Sequence, residues 1–364
     1  MTATDIDSAA GLPGSTTAAE RREKFLAMIG KLDLYLNLVA LGWLTPLLKI
    51  AAGEPARHNL KDVWRGLVLP LLGIGLFLAL WAQTAPLVNT SLGAIPGPAQ
   101  VWDQVGNLYA DHQRERQKEA AFYQRQDQRN DNLIADGKAD DTKYRSYTGK
   151  PTYLDQIVTS LKTVAMGFLI ATLVAVPLGI LCGLSSGVNA ALNPLIQIFK
   201  PVSPLAWLPL VTMVVSALMA GSDGFIARSF VVSAVTVTLC SLWPTLINTA
   251  HGVSSIDKDL MNVGRVLKLS WGSKIFKVVL PSALPLIFTG LRLSLGVGWM
   301  VLIAAEMLAQ NPGLGKFVWD EFQNGSSSSL AKIMVAVLTI GLIGVLLDRM
   351  MLALQTMFTY SATR

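Results

Sequence analysis

The sequence predicts an all-α integral membrane protein with about six transmembrane helices. The first observation is composition: of 364 residues, 52% are hydrophobic and only 15% are charged, whereas about a quarter of the residues in a soluble domain are charged. The second is that six separate stretches are apolar over the roughly 20 residues that a membrane-crossing helix needs. The third is that Lys and Arg concentrate in short segments beside these stretches, as they do in cytoplasmic loops.

This composition excludes several classes of protein. The chain has too few charges to cover the surface of a soluble enzyme, and too many apolar residues for a disordered or fibrous protein. The net charge of +6 is explained by membrane topology, so no nucleic-acid partner is expected. Cys182 and Cys240 lie inside apolar runs and do not have the spacing of a redox pair or a zinc site.

The amino-terminal region, residues 1–66, is predicted to be a cytoplasmic tail with an amphipathic helix. Residues 1–20 lack the basic start and apolar stretch of a secretory signal, and residues 1–24 are expected to be disordered. Leu34–Ile50 is apolar but short and contains Pro46, so we interpret it as a helix lying on the membrane surface. The alternative is that Leu34–Ile50 spans the membrane.

Six predicted spans follow this tail, and the third of them is interrupted by prolines. Pro201, Pro204 and Pro209 remove backbone donors, which is tolerated in a span where it lines a cavity or packs against protein. The six predicted spans are Leu67–Ala85, Ser160–Leu184, Pro194–Leu218, Phe225–Ala250, Ala283–Leu308 and Leu330–Leu354.

The segments between the spans fix the predicted topology. The basic residues before the first transmembrane helix, 67–85, and those in residues 254–281 predict that both segments and both termini are cytoplasmic. Residues 86–158 are read as a periplasmic polar insertion, because long loops are translocated largely regardless of charge. Within this insertion, residues 103–132 favour a solvated helix and residues 136–150 a flexible turn region. The insertion is either a docking surface for an outside partner or a solvated extension without such a role.

Several catalytic signatures are absent from the sequence. Pro312–Lys316 superficially resembles a phosphate-binding loop but lacks its upstream Gly and its following hydroxyl, so ATP hydrolysis by this chain is not expected. The histidines His58, His112 and His251 are scattered and form no metal-binding pattern. We therefore predict no catalytic residue, no metal site and no cofactor.

Residues 254–281 carry the most informative pattern. Ser255 or Asp257 can cap a helix, and Met261, Val263, Val266 and Leu267 recur at helical spacing. Ser270-Trp271-Gly272 is predicted to break this helix, and a second short helix is predicted to end at Leu280-Pro281, where the next span begins. Such an amphipathic helix can lie in a groove on a partner protein. The alternative is an ordinary interfacial loop helix.

In spacing, this segment resembles the E-A-A…G…I-x-L-P loop of binding-protein-dependent ABC importer permeases. Asn262-Val263-Gly264 stand in place of E-A-A, Lys268 stands in place of the Gly, and Val278-Val279-Leu280-Pro281 match I-x-L-P. Other segments are similar to the nitrate, cyanate, bicarbonate, sulfonate and taurine permeases, and their sequences most resemble the nitrate and bicarbonate permeases. These segments are Ile95–Pro98, Ser160–Phe168, Pro201–Pro209, Thr289–Arg292, Ala305–Leu308 and Gly313–Gly315.

The resemblance implies a type I ABC importer permease of the bacterial inner membrane. Its permease core would be residues 159–358, including the coupling segment 254–281. By resemblance, two copies form a homodimer in the lipid, cytoplasmic ABC ATPase subunits bind the coupling helix, and a periplasmic solute-binding protein delivers cargo. The residues implied in ATPase coupling are Asn262, Val263, Gly264, Arg265, Leu267, Lys268, Leu269, Val278, Leu280 and Pro281.

The implied mechanism is alternating access, and the favoured cargo is a small anion, with nitrate first. An organosulfonate such as taurine is the alternative within the family, and an ion-driven secondary transporter is the rival from another class. A secondary transporter would need intramembrane carboxylates or paired broken helices at the midplane, and only Glu306 approaches that requirement.

Six residues are predicted to contribute to the translocation pathway: Lys200, Pro204, Trp207, Arg292, Trp299 and Glu306. Lys200 and Arg292 could attract an anion, but they could equally anchor span ends at the interface. Glu306 is read as a gate or structural clamp, with a solvated helix end as the alternative. The two tryptophans could instead serve packing. Arg292 and Glu306 lie about 21 Å apart along one helix and cannot pair within it.

Overall fold

The computed structural model describes residues 28, 42, 44–52, 56–90, 93–221, 227–326 and 328–362. These residues are almost entirely helical, which confirms the predicted all-α membrane class. The predicted disordered tail 1–24 and most of the predicted amphipathic helix 34–50 lie outside the described residues. The chain divides into two compact units, residues 1–80 and residues 81–364, and each is described by itself.

Among its described residues, the first unit has two short helices of several residues and most of a long apolar one. Helix α1 covers Leu44–Ala51 and α2 covers Ala56–Val63, followed by a π-helical turn at Trp64–Val68 and by α3, Leu69–Thr84, which continues into the second unit. In the π turn the Leu69 N–H bonds to the Trp64 carbonyl. A proline follows at position 70 and would clash with the carbonyl four residues back, so widening the preceding turn keeps the helix continuous.

The second unit contains a two-stranded hairpin and ten further helices among the described residues. Strands β1, Asn89–Thr90, and β2, Gly93–Ala94, pair antiparallel. The helices are α4 Pro98–Ala135, α5 Tyr153–Leu184, α6 Ser186–Phe199, α7 Pro204–Leu218, α8 Arg228–Ser254, α9 Lys258–Val266, α10 Trp271–Lys274, α11 Leu280–Ala309, α12 Leu314–Asn324 and α13 Ser329–Ala362.

Among the described residues, five helices are long and apolar enough to cross a membrane, and the number is six if one bent helix pair is counted as a span. This confirms the predicted number of about six spans. Four of the five begin earlier than their predicted spans, because their first turns extend the helix beyond the apolar stretch, and the helix predicted at Phe225 begins at Arg228. The five are Leu60–Leu87, Tyr153–Leu184, Arg228–Ser254, Trp271–Ala309 and Ser329–Thr359.

The third predicted span, Pro194–Leu218, is a broken pair rather than a single interrupted helix. Helices α6 and α7 meet at an angle of 101°. Helix α6 ends at Phe199, although Lys200 keeps a helical conformation and bonds its N–H to the Ile196 carbonyl. The chain breaks after it because Pro201 has no N–H to continue the helical hydrogen bonds. Helix α7 restarts with Pro204 at its first position, and the Ser203 hydroxyl accepts the Leu205 N–H at 3.3 Å.

The membrane core is built on close parallel packing of α5 and α8. Gly167 of α5 lies against Ala234 and Val237 of α8, and Gly183 lies against Val253, so closely that a Cβ on either glycine would overlap them. Small residues of this kind allow helix backbones to approach in a membrane. On the other side of α8, the Ser294 hydroxyl of α11 lies 2.7 Å from that of Thr245.

The polar insertion has a helix where one was predicted, and the predicted turn region is present over residues 136–141 but does not continue to residue 150. Helix α4 contains the whole of residues 103–132. Residues 142–150 are instead extended and hydrogen-bonded back along α4. The Asn130 carboxamide exchanges two bonds with the Lys143 backbone at 3.2 and 3.3 Å, and the Arg145 N–H donates to Gln126 at 2.7 Å. The sequence could not show this pairing, because it depends on which residues of α4 face the returning chain.

A hydrogen bond between a tyrosine and a carboxylate joins the returning chain to α4. The Tyr147 hydroxyl donates to Glu115 Oε1 at 2.6 Å. This bond stabilises the carboxylate and lowers the pKa of Glu115, while the same bond raises the pKa of Tyr147. At the other end of α4, Val101 and Leu108 belong to the same buried cluster as Phe317 of α12 and Val335 of α13. The outer helix is therefore a packed part of the second unit.

Candidate functional site

Helix α9 forms the centre of the predicted coupling segment, and it is held at its start by a side-chain cap. The Asp257 carboxylate accepts the Asp259 N–H at 2.9 Å, which confirms Asp257 as a capping residue. Met261 packs against the buried cluster that contains Ile180, Val253 and Val279. The helix is thus anchored on one side to the carboxyl-terminal ends of α5 and α8.

The end of α9 has a tight backbone turn at Lys268, the position for which the resemblance implies glycine. The Leu269 N–H bonds to the Gly264 carbonyl at 3.1 Å and the Lys268 N–H bonds to the Arg265 carbonyl at 2.9 Å, the pattern of a Schellman motif. Lys268 has a φ of 48°, a left-handed conformation that costs a residue with a side chain about 1–2 kcal/mol. Lys268 therefore adopts the backbone geometry that the resemblance assigns to glycine.

The predicted second short helix is wrong. Helix α10 begins at Trp271, where the Ser270 hydroxyl accepts the Ser273 N–H, and it continues through a π-helical turn at Ile275–Val279 into α11. The π turn precedes Pro281 as the earlier one precedes Pro70, and it keeps the helix continuous for the same steric reason. Val278, Leu280 and Pro281 consequently belong to the start of a membrane-spanning helix.

The outward side of α9 is apolar and has no partner among the described residues. Leu260, Val263, Val266 and Leu267 recur at three- and four-residue spacing and share one face. They are 43%, 52%, 80% and 64% exposed. Next to this face the Arg265 guanidinium donates to the Asn262 side chain at 3.3 Å. An apolar face of a short helix, flanked by polar side chains, fits the groove of a partner protein.

Glu306 lies at the centre of a fully buried hydrogen-bond cluster that joins three helices. The Ser160 hydroxyl of α5 lies 2.8 Å from each carboxylate oxygen, and the Gly315 N–H of α12 donates to Oε2 at 3.0 Å. Ser160 in turn accepts the Leu314 N–H at 2.8 Å. Glu306 has no exposed surface. This placement favours the clamp interpretation, because the carboxylate binds the first turn of α12 and is shielded from any passing solute.

Arg292 is joined to a residue that the sequence analysis did not consider. Its Nη2 donates to Asp348 Oδ2 of α13 at 2.7 Å and its Nε to Oδ1, which makes a bidentate ion pair between two spans. The sequence did contain a signal for this ion pair, because Asp348 is a carboxylate within the apolar stretch Leu330–Leu354. A carboxylate inside a membrane span usually needs a partner. Arg292 thus has its charge matched in this conformation.

We expect Arg292→Gln to destabilise the protein more than the double change Arg292→Gln, Asp348→Asn. The single change leaves Asp348 charged and without its partner, at a cost of about 1–2 kcal/mol for an interhelical bond in a membrane, and the double change removes both charges. Thermal unfolding of the purified proteins measures the difference. Equal unfolding temperatures for wild type and both variants, together with uptake lost in both, would instead indicate that Arg292 contacts the cargo directly.

The remaining pathway candidates lie in two places. Lys200, Pro204 and Trp207 surround the break between α6 and α7, where the ring centroids of Phe199 and Trp207 are 5.7 Å apart. Trp299 lies in the main buried cluster and its indole N–H donates to the Ile340 carbonyl at 3.0 Å. That placement of Trp299 favours the packing role. Within the described part of the chain, no group of three or more His, Cys, Asp or Glu residues could hold a metal ion.

Comparisons with known proteins agree with this architecture. A family model described as "Binding-protein-dependent transport system inner membrane component" matches residues 175–359, slightly more than half of the chain. The bicarbonate transport system permease protein CmpB of Synechococcus elongatus is 38% identical over 299 residues, which cover 80% of this chain and 91% of that protein. The nitrate import permease protein NrtB of Leptolyngbya laminosa is 42% identical over 193 residues, covering 53% of this chain and 64% of that protein.

A more distant relative comes from a third group of permeases. The putative aliphatic sulfonates transport permease protein SsuC of Bacillus subtilis is 33% identical over 189 residues, which cover 52% of this chain and 63% of that protein. All three matches include the word permease in their names, and the family match contains α9 together with the spans on both sides of it.

Proposed function

We propose, from the premise that this chain belongs to the family of binding-protein-dependent transport system inner membrane components, that it forms the membrane pathway of an ATP-driven importer for a small inorganic anion. Membership of this family makes the chain a multi-pass permease subunit of an ABC importer. The cargo, the partners and the orientation of the chain are the proposed part.

One observation carries the proposal: α9 connects two spans and presents an exposed apolar face. A cytoplasmic ABC ATPase subunit is the partner that we assign to this face. Met261 packs α9 against the ends of the spans, and the Asp257 cap keeps the first turn of α9 helical, so a movement of the ATPase at α9 would be passed to α5, α8 and α11. This contact couples ATP hydrolysis on the partner to alternating access in the permease, and no bond is made or broken by this chain.

The other partners follow from the same assignment. Two copies of the permease form the pathway within the lipid, both termini face the cytoplasm, and the outer element made by α4 faces the periplasm. A periplasmic solute-binding protein delivers the cargo from that side. The packed outer element offers such a protein a fixed surface, which supports the docking interpretation of residues 86–158.

Nitrate is the cargo that we favour, and nitrite, cyanate and bicarbonate belong to the same class of small anion. The relative NrtB is named a nitrate permease and the relative CmpB a bicarbonate permease. The sequence of residues 201–209, at the break between α6 and α7, resembles that of nitrate and bicarbonate permeases and supports a small inorganic anion as cargo. An organosulfonate such as taurine is the second candidate, because SsuC is named a sulfonate permease.

Uptake measurements in cells that lack the chromosomal copy test this proposal. We expect the gene for this chain, expressed with its neighbouring ATPase and binding-protein genes, to restore nitrate uptake that stops when ATP is depleted. Unlabelled nitrite, cyanate, bicarbonate and taurine serve as competitors. Stronger competition by taurine than by nitrite would contradict the anion assignment, and uptake that persists without ATP would contradict the importer itself.

A further inference from the structure

A polar cavity of about 290 Å³ lies between α6 and the inner parts of α5 and α8. Helix α6 contributes a stripe of polar side chains at three- and four-residue spacing, which places them on one helix face. Polar side chains within membrane-spanning segments are costly, so they usually face a pathway or a partner. The polar lining residues are Asn189, Asn193 and Gln197 of α6, Lys200 directly after α6, Cys182 of α5, and His251 and Ser254 of α8.

The charge of this cavity favours an anion. Lys200 is its single charged lining residue and His251 adds an imidazole, while no carboxylate is among the lining residues that the structure describes. In the same described part of the chain, Lys200 has no acidic side chain within salt-bridge distance. The three carboxamides offer N–H donors for the oxygens of an anion, and only one such bond is made within the stripe, from Gln197 to Asn193 at 3.5 Å.

The cavity lies along the last third of α8, up to the end that leads into α9. Its lining on α8 runs from Leu246 to Ser254, which is about 12 Å along a helix. Lys200 follows Phe199, whose ring stacks on Trp243 near the middle of α8. Lys200 therefore lies at the end of the cavity nearer the middle of α8, and His251 and Ser254 lie at the end nearer α9.

Two buried indole donors beside the bend are without partners. Nε1 of Trp207 and Nε1 of Trp243 are buried and make no hydrogen bond among the described residues. Both rings contact Phe199, at centroid distances of 5.7 and 6.3 Å. A buried N–H without an acceptor is costly and calls for an explanation. Neither tryptophan lines the cavity, so these two donors are not counted among its contacts.

We infer that this cavity is a binding site for a small oxyanion in the inner half of the pathway, with Lys200 supplying the charge and the α6 carboxamides supplying N–H donors. The volume leaves room for such an anion together with several waters, since a water occupies about 30 Å³ in the liquid. This inference rests on the proposed function, because it treats the cavity as the last binding site of the imported anion before its release on the α9 side.

Neutralising Lys200 tests the charge. We expect Lys200→Met to raise the apparent KM for nitrate uptake by about tenfold or more, because a hydrogen bond to a charged group is lost, and Lys200→Arg to restore most of the affinity. Lys162→Met is the matched control: it removes the same charge from an exposed position on α5 that does not line the cavity. An equal effect of both methionine variants, or none from Lys200→Met, overturns the inference.

Cysteine protection tests binding directly. In a Cys182→Ala, Cys240→Ala background, Asn189→Cys places a thiol in the cavity, and Ala191→Cys places one on the opposite side of α6. Both are assayed in inside-out vesicles that contain the complete transporter. We expect sodium nitrate or sodium bicarbonate, but not sodium chloride, to slow modification of the Asn189→Cys protein by several fold and to leave the Ala191→Cys protein unaffected. We also expect an anionic thiosulfonate to react faster than a cationic one at the first position.

The outcomes separate this inference from the proposed function. Equal protection of both cysteine variants, or protection of neither, contradicts the cavity assignment even when uptake by the same transporter depends on ATP. Uptake by the unmodified protein that is independent of ATP contradicts the importer, whichever thiol is protected.

Discussion

Val263→Arg is expected to abolish ATP-driven uptake while the permease stays folded in the membrane. Val263 lies in the middle of the apolar face of α9 and is 52% exposed, so it would be covered when the ATPase subunit binds. An arginine there would bring an unpaired charge into that contact. Residues at the centre of an interface contribute about 2 kcal/mol or more, so we expect association with the ATPase to weaken by about 30-fold or more.

Arginine is chosen because it disturbs the contact with the ATPase without unfolding α9. Arginine is a better helix former than valine, and a cation in the second half of α9 is compatible with the helix dipole. Lys268→Gly is the matched control: it alters the same segment, keeps the apolar face and relieves the left-handed conformation of Lys268. Co-purification of the ATPase and ATP-dependent uptake are the measurements. If the Val263→Arg protein keeps both, α9 is an interfacial loop helix.

The membrane spans could be read from the sequence because apolar length alone specifies them. Ser160–Leu184 was predicted and Tyr153–Leu184 is observed, the difference being two polar turns that hydropathy does not detect. The bend after α6 was signalled by Pro201 and Pro204, but its angle of 101° depends on how α7 packs against α8. Because the predicted third span began at Pro194, it left out the first turns of α6 and with them Asn189.

The partners of the charged residues could not be predicted in the same way. Glu306 was recognisable as a carboxylate in an apolar stretch, but its contact with Ser160 joins residues 146 positions apart. Arg292 and Asp348 are 56 positions apart, and nothing local in the sequence links them. Such pairs are decided by the packing of whole helices. A single sequence therefore indicates that an intramembrane charge needs a partner, without indicating which one.

The clamp at Glu306 leads to a second prediction with a large effect. Gly315→Ala is expected to destabilise the protein by about 3 kcal/mol or more, because its Cβ would overlap the backbone carbonyl of Ile303, and backbone cannot be moved aside as a side-chain end can. The same residue donates its N–H to Glu306 at 3.0 Å. Any shift of α12 that relieved the overlap would lengthen this bond.

A graded series of glycine substitutions makes the prediction specific. The Cβ of Gly313→Ala would meet the Glu306 carboxylate, which can turn aside only by giving up its bonds to Ser160 and Gly315. We expect a substantial loss of stability, but a smaller one than for Gly315→Ala, whose Cβ meets backbone. The control is Gly106→Ala in α4, where nothing lies within 4 Å of the added atom and alanine favours the helix by about 1 kcal/mol. Thermal unfolding of the purified proteins should rank Gly315→Ala below Gly313→Ala, and both below Gly106→Ala. A Gly315→Ala protein as stable as Gly106→Ala would show that α12 does not need its close contact with α11, and the clamp interpretation of Glu306 would fail.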